Sequence, residues 1–106
     1  MFARHITLQL KPGLAREFPV VFEREILPLV KDRKGFLDEI LLYSPESYQI
    51  VAISLWERKE NAENYHREVY PKIEKILDKY VDGIPTMRTF EAQYSTFHKL
   101  ANVATV

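Results

Sequence analysis

The chain has 106 residues, with 15 basic residues against 15 acidic ones, a formal charge of zero, 46% apolar residues and 28% charged ones. A neutral chain builds no long-range positive field, which argues against nucleic acid or an anionic membrane as a partner, and the apolar share is that of a folded chain rather than a disordered one. The absence of cysteine excludes disulfides, thiolate metal sites and cysteine nucleophiles.

In chain order, Ile6, Leu8 and Leu10 alternate with His5, Thr7 and Gln9, the period of two of a half-buried strand over 2–10. Lys11-Pro12-Gly13 closes it as a turn. Leu14, Phe18, Val21, Phe22, Leu29 and Val30 recur at helical spacing; Pro19 is tolerated in the first turn, whereas Pro28 removes an interior hydrogen bond and is expected to bend the last turns. After Gly35, strands over 36–43 and 48–56 are predicted, joined by Ser44-Pro45-Glu46-Ser47 as a hairpin turn. Both are apolar on two faces: Ile40 and Leu42 oppose Leu37, Leu41 and Tyr43, so each side of the sheet needs a cover. A second helical region starts near Arg58, carries Ala62, Tyr65 and Val69 on one stripe, and is expected to restart at Pro71, with Ile73, Ile76, Leu77 and Tyr80 continuing the stripe. A last strand of about ten residues is predicted over 86–97.

This order predicts an α+β fold, the split β-α-β arrangement of ferredoxin-like domains. Right-handed crossovers place the first and third strands at the centre of a four-stranded antiparallel sheet with both helices on one face. One domain over 1–98 and a tail over 99–106 are expected. The apolar second face and the long last strand predict a homodimer in which two sheets face each other. No run approaches about 18 apolar residues and the first residues lack the apolar core of a signal peptide, so a cytoplasmic protein is expected.

Several short motifs in this order carry a resemblance: Lys11-Pro12-Gly13 after the first strand, Gly35-Phe36 opening the second, Ile53-Ser54-Leu55-Trp56-Glu57 at a strand-to-helix joint with Glu60, Ala62 and Tyr65 beyond, and Phe90-Glu91 in the last strand. Over about residues 3–96 the chain resembles the antibiotic biosynthesis monooxygenase-like family of the dimeric α+β barrel superfamily. The resemblance implies a homodimer with a pocket between helices and sheet. In such pockets the family oxidises quinols or polyketide anthrones with O2 without metal or flavin, degrades haem, or has no known reaction. The haem-degrading branch has an asparagine on strand one, a tryptophan on the second helix and a histidine about ten residues later; His5 or Ile6, Tyr65 and Lys75 stand there instead, so its ligand set is not matched.

Among candidate residues, His66 and His5 are possible general bases, since histidine titrates near neutral pH and can take a phenolic proton. Trp56, Tyr65 and Tyr43 are candidate walls for a planar substrate, although an aromatic at a strand end is also what a core contains. Glu63 and His66 share the i, i+3 spacing of a di-iron ligand pair, but no second such motif accompanies them, and no metal or cofactor is expected. Arg4, Arg88 and Glu91 are read as interface ion pairs rather than substrate clamps, and His98 carries no motif. Two functions stay open: a cofactor-independent monooxygenase of a small aromatic or quinol-like compound, or a non-enzymatic dimeric module for small-ligand binding or assembly.

Overall fold

The computed structural model describes residues 1–96; the expected tail over 99–106, His98 and the far end of the last predicted strand lie outside them. Four strands, β1 (Phe2–Gln9), β2 (Phe36–Ser44), β3 (Gln49–Trp56) and β4 (Thr86–Glu91), form one sheet in the order β2-β3-β1-β4. All pairings are antiparallel, so the ferredoxin-like arrangement expected from the element order is the one present.

The first helical segment consists of α1 (Phe18–Val21), a π-helical turn (Phe22–Ile26) and α2 (Leu27–Val30). The bend expected from Pro28 therefore takes the form of a widened turn just before it. Pro28 has no N–H, so the local ladder slips by one residue and the Leu27 N–H reaches the Phe22 carbonyl. The second segment divides as the sequence predicts: α3 (Lys59–Glu68) ends, Val69 stands at φ −117°, and α4 (Tyr70–Leu77) begins with Pro71 in its first turn. Proline fits there because that amide would have no helical partner in any case.

All helices lie on one face of the sheet. Ile6, Leu8 and Leu10 of the first strand region, Ile50 and Trp56 of β3, Phe18, Ile26 and Val30 of the first segment, and Ala62, Tyr65, Ile73 and Leu77 of the second share one buried cluster. After α4 the chain returns antiparallel to the end of β1, where Val81 bridges Leu10 and the Asp82 N–H donates to the Gln9 carbonyl at 2.7 Å. On the opposite sheet face, Ile40, Leu42 and Phe90 are 40%, 49% and 42% exposed. No helix among the described residues is long and apolar enough to cross a membrane.

Two boundaries differ from expectation. β4 stops at Glu91, which pairs with Phe2, and beyond it the Ala92 N–H donates to the Met1 carbonyl at 2.8 Å. Tyr48 belongs to the hairpin turn at φ 58°, and β3 starts one residue later.

Gly35 joins the first helical segment to β2 at φ +81°, and a Cβ built there would collide with the Asn61 side chain of α3. Its carbonyl accepts from the Glu57 N–H at 2.8 Å. Strain and collision act together, so Gly35→Ala should lower stability by about 1–3 kcal/mol; urea unfolding of both proteins checks this, and an unchanged midpoint would contradict it.

Candidate functional site

The site begins with one residue of β1. Arg4 shares the parity of Ile6 and Leu8, faces the helices and is 3% exposed. A guanidinium cannot shed its proton, so its burial must be offset by acceptors or ring faces. The fold supplies both. The guanidinium carbon lies 4.9 Å from the ring centroid of Tyr65 on α3 and 5.1 Å from that of Tyr70 on α4, each such contact being worth about 0.5–2 kcal/mol. Its Nη2 donates to His66 Nδ1 at 2.9 Å and to Met87 Sδ of β4 at 3.0 Å. Among the described residues no carboxylate forms an ion pair with it.

The helical register explains the convergence. His66 and Tyr70 stand four residues apart and stack at 5.1 Å with an interplanar angle of 21°. Tyr65 points about 100° from His66 around α3, yet the long Arg4 side chain meets both. Behind Tyr65, Trp56 is fully buried between Phe36 at 5.6 Å and Tyr65 at 5.0 Å, and its Nε1 donates to Ser54 Oγ at 2.9 Å.

Arginine only donates, so His66 Nδ1 accepts and the proton of the neutral ring sits on Nε2. Desolvation, and then the nearby Arg4 charge, lower the His66 pKa, against an opposing effect of Glu74. The imidazole is thus held neutral, with its one lone pair committed to Arg4. Burial raises the phenol pKa of Tyr65 and of Tyr70, with Arg4 acting against it in both.

One further group belongs here. Glu39 of β2 pairs with Ser54, which pairs with Arg4, so the three form one cross-strand row on the helix-facing side. Its Oε2 is buried with no hydrogen-bond partner among the described residues. Burial pushes its pKa up to about 8, with Arg4 opposing and Asp38 adding to the rise.

Of the residues singled out from sequence, His66, Tyr65 and Trp56 come together, while two stand apart. Tyr43 is 41% exposed at the far end of β2, paired with Ile50. His5 lies on the opposite sheet face, edge-on to the Phe90 ring at 6.1 Å. Glu63 reaches Lys59 at 3.7 Å, and among the described residues no three His, Asp or Glu side chains gather as a metal site would require. Arg88 lies over Phe90 on the open face. Arg4 and Glu39 were not identifiable as partners from sequence, although the parity of Arg4 with Ile6 and of Glu39 with Leu41 carried the signal.

No family model matches the sequence, and no curated protein matches it. Solved structures do. A cofactor-independent oxygenase of Streptomyces nogalater superposes with a TM-score of 0.74 at 18% identity, over 90% of this chain and 95% of its own. A monooxygenase of Streptomyces coelicolor, solved with nanaomycin D, gives 0.76 at 14% identity over 92% of each chain. A protein described as an antibiotic biosynthesis monooxygenase gives 0.69 at 15% identity over 87% of this chain and 98% of its own. The chain shares the fold of these proteins. The resemblance carried by its short motifs is matched at the level of structure; at these identities the likeness speaks for the fold and not for a reaction or substrate.

Glu39 gives the site a pH signature. Its folded pKa of about 8 exceeds the ordinary 4.5, so the folded state binds the proton more tightly. That contribution to stability is full below pH 4.5 and is lost as pH rises to 8. Glu39→Gln should remove this decline and be the more stable protein above pH 8, by on the order of 1–3 kcal/mol. Urea unfolding from pH 5 to 9 checks it; parallel slopes for the two proteins would contradict it.

Proposed function

We propose that the chain is the subunit of a homodimeric, cofactor-independent oxygenase that oxidises a small phenolic or quinol-like aromatic with O2. The observation that carries this reading is the buried Arg4 guanidinium, without a carboxylate partner among the described residues, walled by Tyr65 and Tyr70 and tied to a neutral histidine. The shared fold with named oxygenases supports the reaction class.

In this reading the substrate hydroxyl takes the Arg4 N–H that otherwise goes to His66. The freed Nδ1 accepts the phenolic proton, and the guanidinium stabilises the phenolate through a charge-assisted hydrogen bond. The electron-rich anion passes one electron to O2, the two radicals combine as a peroxide at a ring carbon, and loss of water leaves a carbonyl where a CH2 stood. Overall, R–CH2–R′ and O2 give R–CO–R′ and H2O. Tyr65 is the ring wall, with Trp56 behind it as support. His5, on the other face, belongs to the seam between subunits.

A binding module without turnover is the second reading, favoured by the commitment of the His66 lone pair to Arg4. Oxygen uptake with an anthrone and with 1,4-naphthohydroquinone, in the presence of a chelator, separates the two. The oxygenase should exceed autoxidation, and His66→Ala should lower kcat by about 100-fold. Rates at the autoxidation background across both compounds would leave only the binding module.

The exposed Ile40, Leu42 and Phe90 are the surface we assign to a second copy. Native mass spectrometry should show a species of about 25 kDa, twice the protomer mass of 12.5 kDa, and Leu42→Asp should shift it to the monomer by placing a charge in a desolvated contact. A wild-type monomer at all concentrations would overturn the assignment.

A further inference from the structure

Arg4 and Glu39 flank Ser54 in one cross-strand row, so their Cα atoms stand two strand spacings, roughly 9.6 Å, apart on the same face. Both side chains are long enough to meet across that gap, and an ionised carboxylate buried beside a guanidinium gains most by pairing with it. They do not pair. Arg4 Nη2 turns to His66 and Met87, and Glu39 Oε2 stays buried and unpartnered among the described residues. Ser54 Oγ already accepts from Trp56. The row therefore holds one fixed positive charge with no carboxylate paired to it among the described residues, and one carboxyl whose Oε2 has no hydrogen-bond partner there. Around them the surfaces are flat rings: Tyr65, Tyr70 and, behind Tyr65, Trp56.

We propose that Arg4 and Glu39 together select a planar aromatic bearing one ionised oxygen, with Arg4 donating to that oxygen and the Glu39 carboxyl, in its acid form, donating to a second oxygen of the same ligand. This rests on the reading of the cluster as an aromatic-ligand site and adds to it the charge and oxygen pattern of the ligand. Glu39 is then a specificity-determining residue: ionised, it would repel the anion and neutralise the field of Arg4. The other titratable groups around it leave its titration distinguishable. Asp38 is its neighbour on β2; Tyr65 faces it from α3, its phenol raised by burial. Beyond Arg4 lie His66, whose pKa is lowered, and Tyr70 of α4, raised, with Glu74 acting on both. Neither tyrosine nor the histidine changes charge near pH 8, where Glu39 does.

The single tryptophan of the chain, Trp56, lies against Tyr65 and reports binding through quenching of its fluorescence. The probes are 2-hydroxy-1,4-naphthoquinone, an anion at neutral pH, and 2-methoxy-1,4-naphthoquinone, its uncharged analogue of nearly equal shape. At pH 6.5 the hydroxy compound should bind the wild-type protein at least about tenfold more tightly, the discrimination one charge-assisted hydrogen bond supplies. Above about pH 8 its affinity should fall about tenfold per pH unit as Glu39 ionises, while Glu39→Gln, which keeps a donor and cannot ionise, should show a flat profile. Equal affinity for the two quinones, or a flat wild-type profile, overturns the inference and leaves the aromatic site standing. Absence of binding by both removes the inference and the site together.

Discussion

A buried guanidinium with no carboxylate partner among the described residues is the constraint on which the rest of this structure turns. Arg4 cannot become neutral, so the elements packed over β1 must receive its charge. Two tyrosine faces, one imidazole lone pair and one thioether do so, from α3, α4 and β4. The break between the two helices serves the same end. Val69 leaves helical geometry and Pro71 restarts it, which sets Tyr70 against both Arg4 and His66. The histidine is in turn fixed as a neutral acceptor. A single charge on one strand thus determines the tautomer of a residue 62 positions away and the raised phenol pKa values around it are tempered by the same charge.

The two sheet faces divide the labour. The helix-facing side carries the core and, near the start of β1, the row of Glu39, Ser54 and Arg4. The opposite side presents Ile40, Leu42 and Phe90. Apolar residues on both sides of β2 and β3 are costly in water unless both sides are covered, and among the described residues helices cover only one. The buried cluster on one face and the exposed apolar residues on the other place no constraint on each other's residue types, because alternate residues of a strand point to opposite faces.

Much of the fold was legible because it depends on local rules. The period of two in β1, the turn at Lys11-Pro12-Gly13, the restart at Pro71 and the disturbance at Pro28 each follow from the covalent properties of a few residues. The end of β4 was not, since the alternation of Phe90, Ala92 and Tyr94 continues past the last paired residue, Glu91, and pairing is a fact of register rather than of composition. The site was half legible. Tyr65, His66 and Trp56 drew attention as a cluster on the strand-to-helix joint. Arg4 stood out only as a charge for the subunit contact and Glu39 not at all, because only the cross-strand register brings 4, 39 and 54 into one row. His5 misleads for the same reason in reverse: it is one residue from Arg4, and in a strand one residue is the other face.

The central claim is that Arg4 holds His66 as a neutral Nε2–H ring, and nitrogen-15 NMR of the imidazole tests it most directly. The account predicts that at pH 7 the His66 Nδ1 shows the shift of an unprotonated acceptor and Nε2 that of a protonated nitrogen, with a titration midpoint below 6.5, both features disappearing in Arg4→Met. A ring protonated on both nitrogens at pH 7, or carrying its proton on Nδ1, would mean that Arg4 is not bound there and that the site is not built around it.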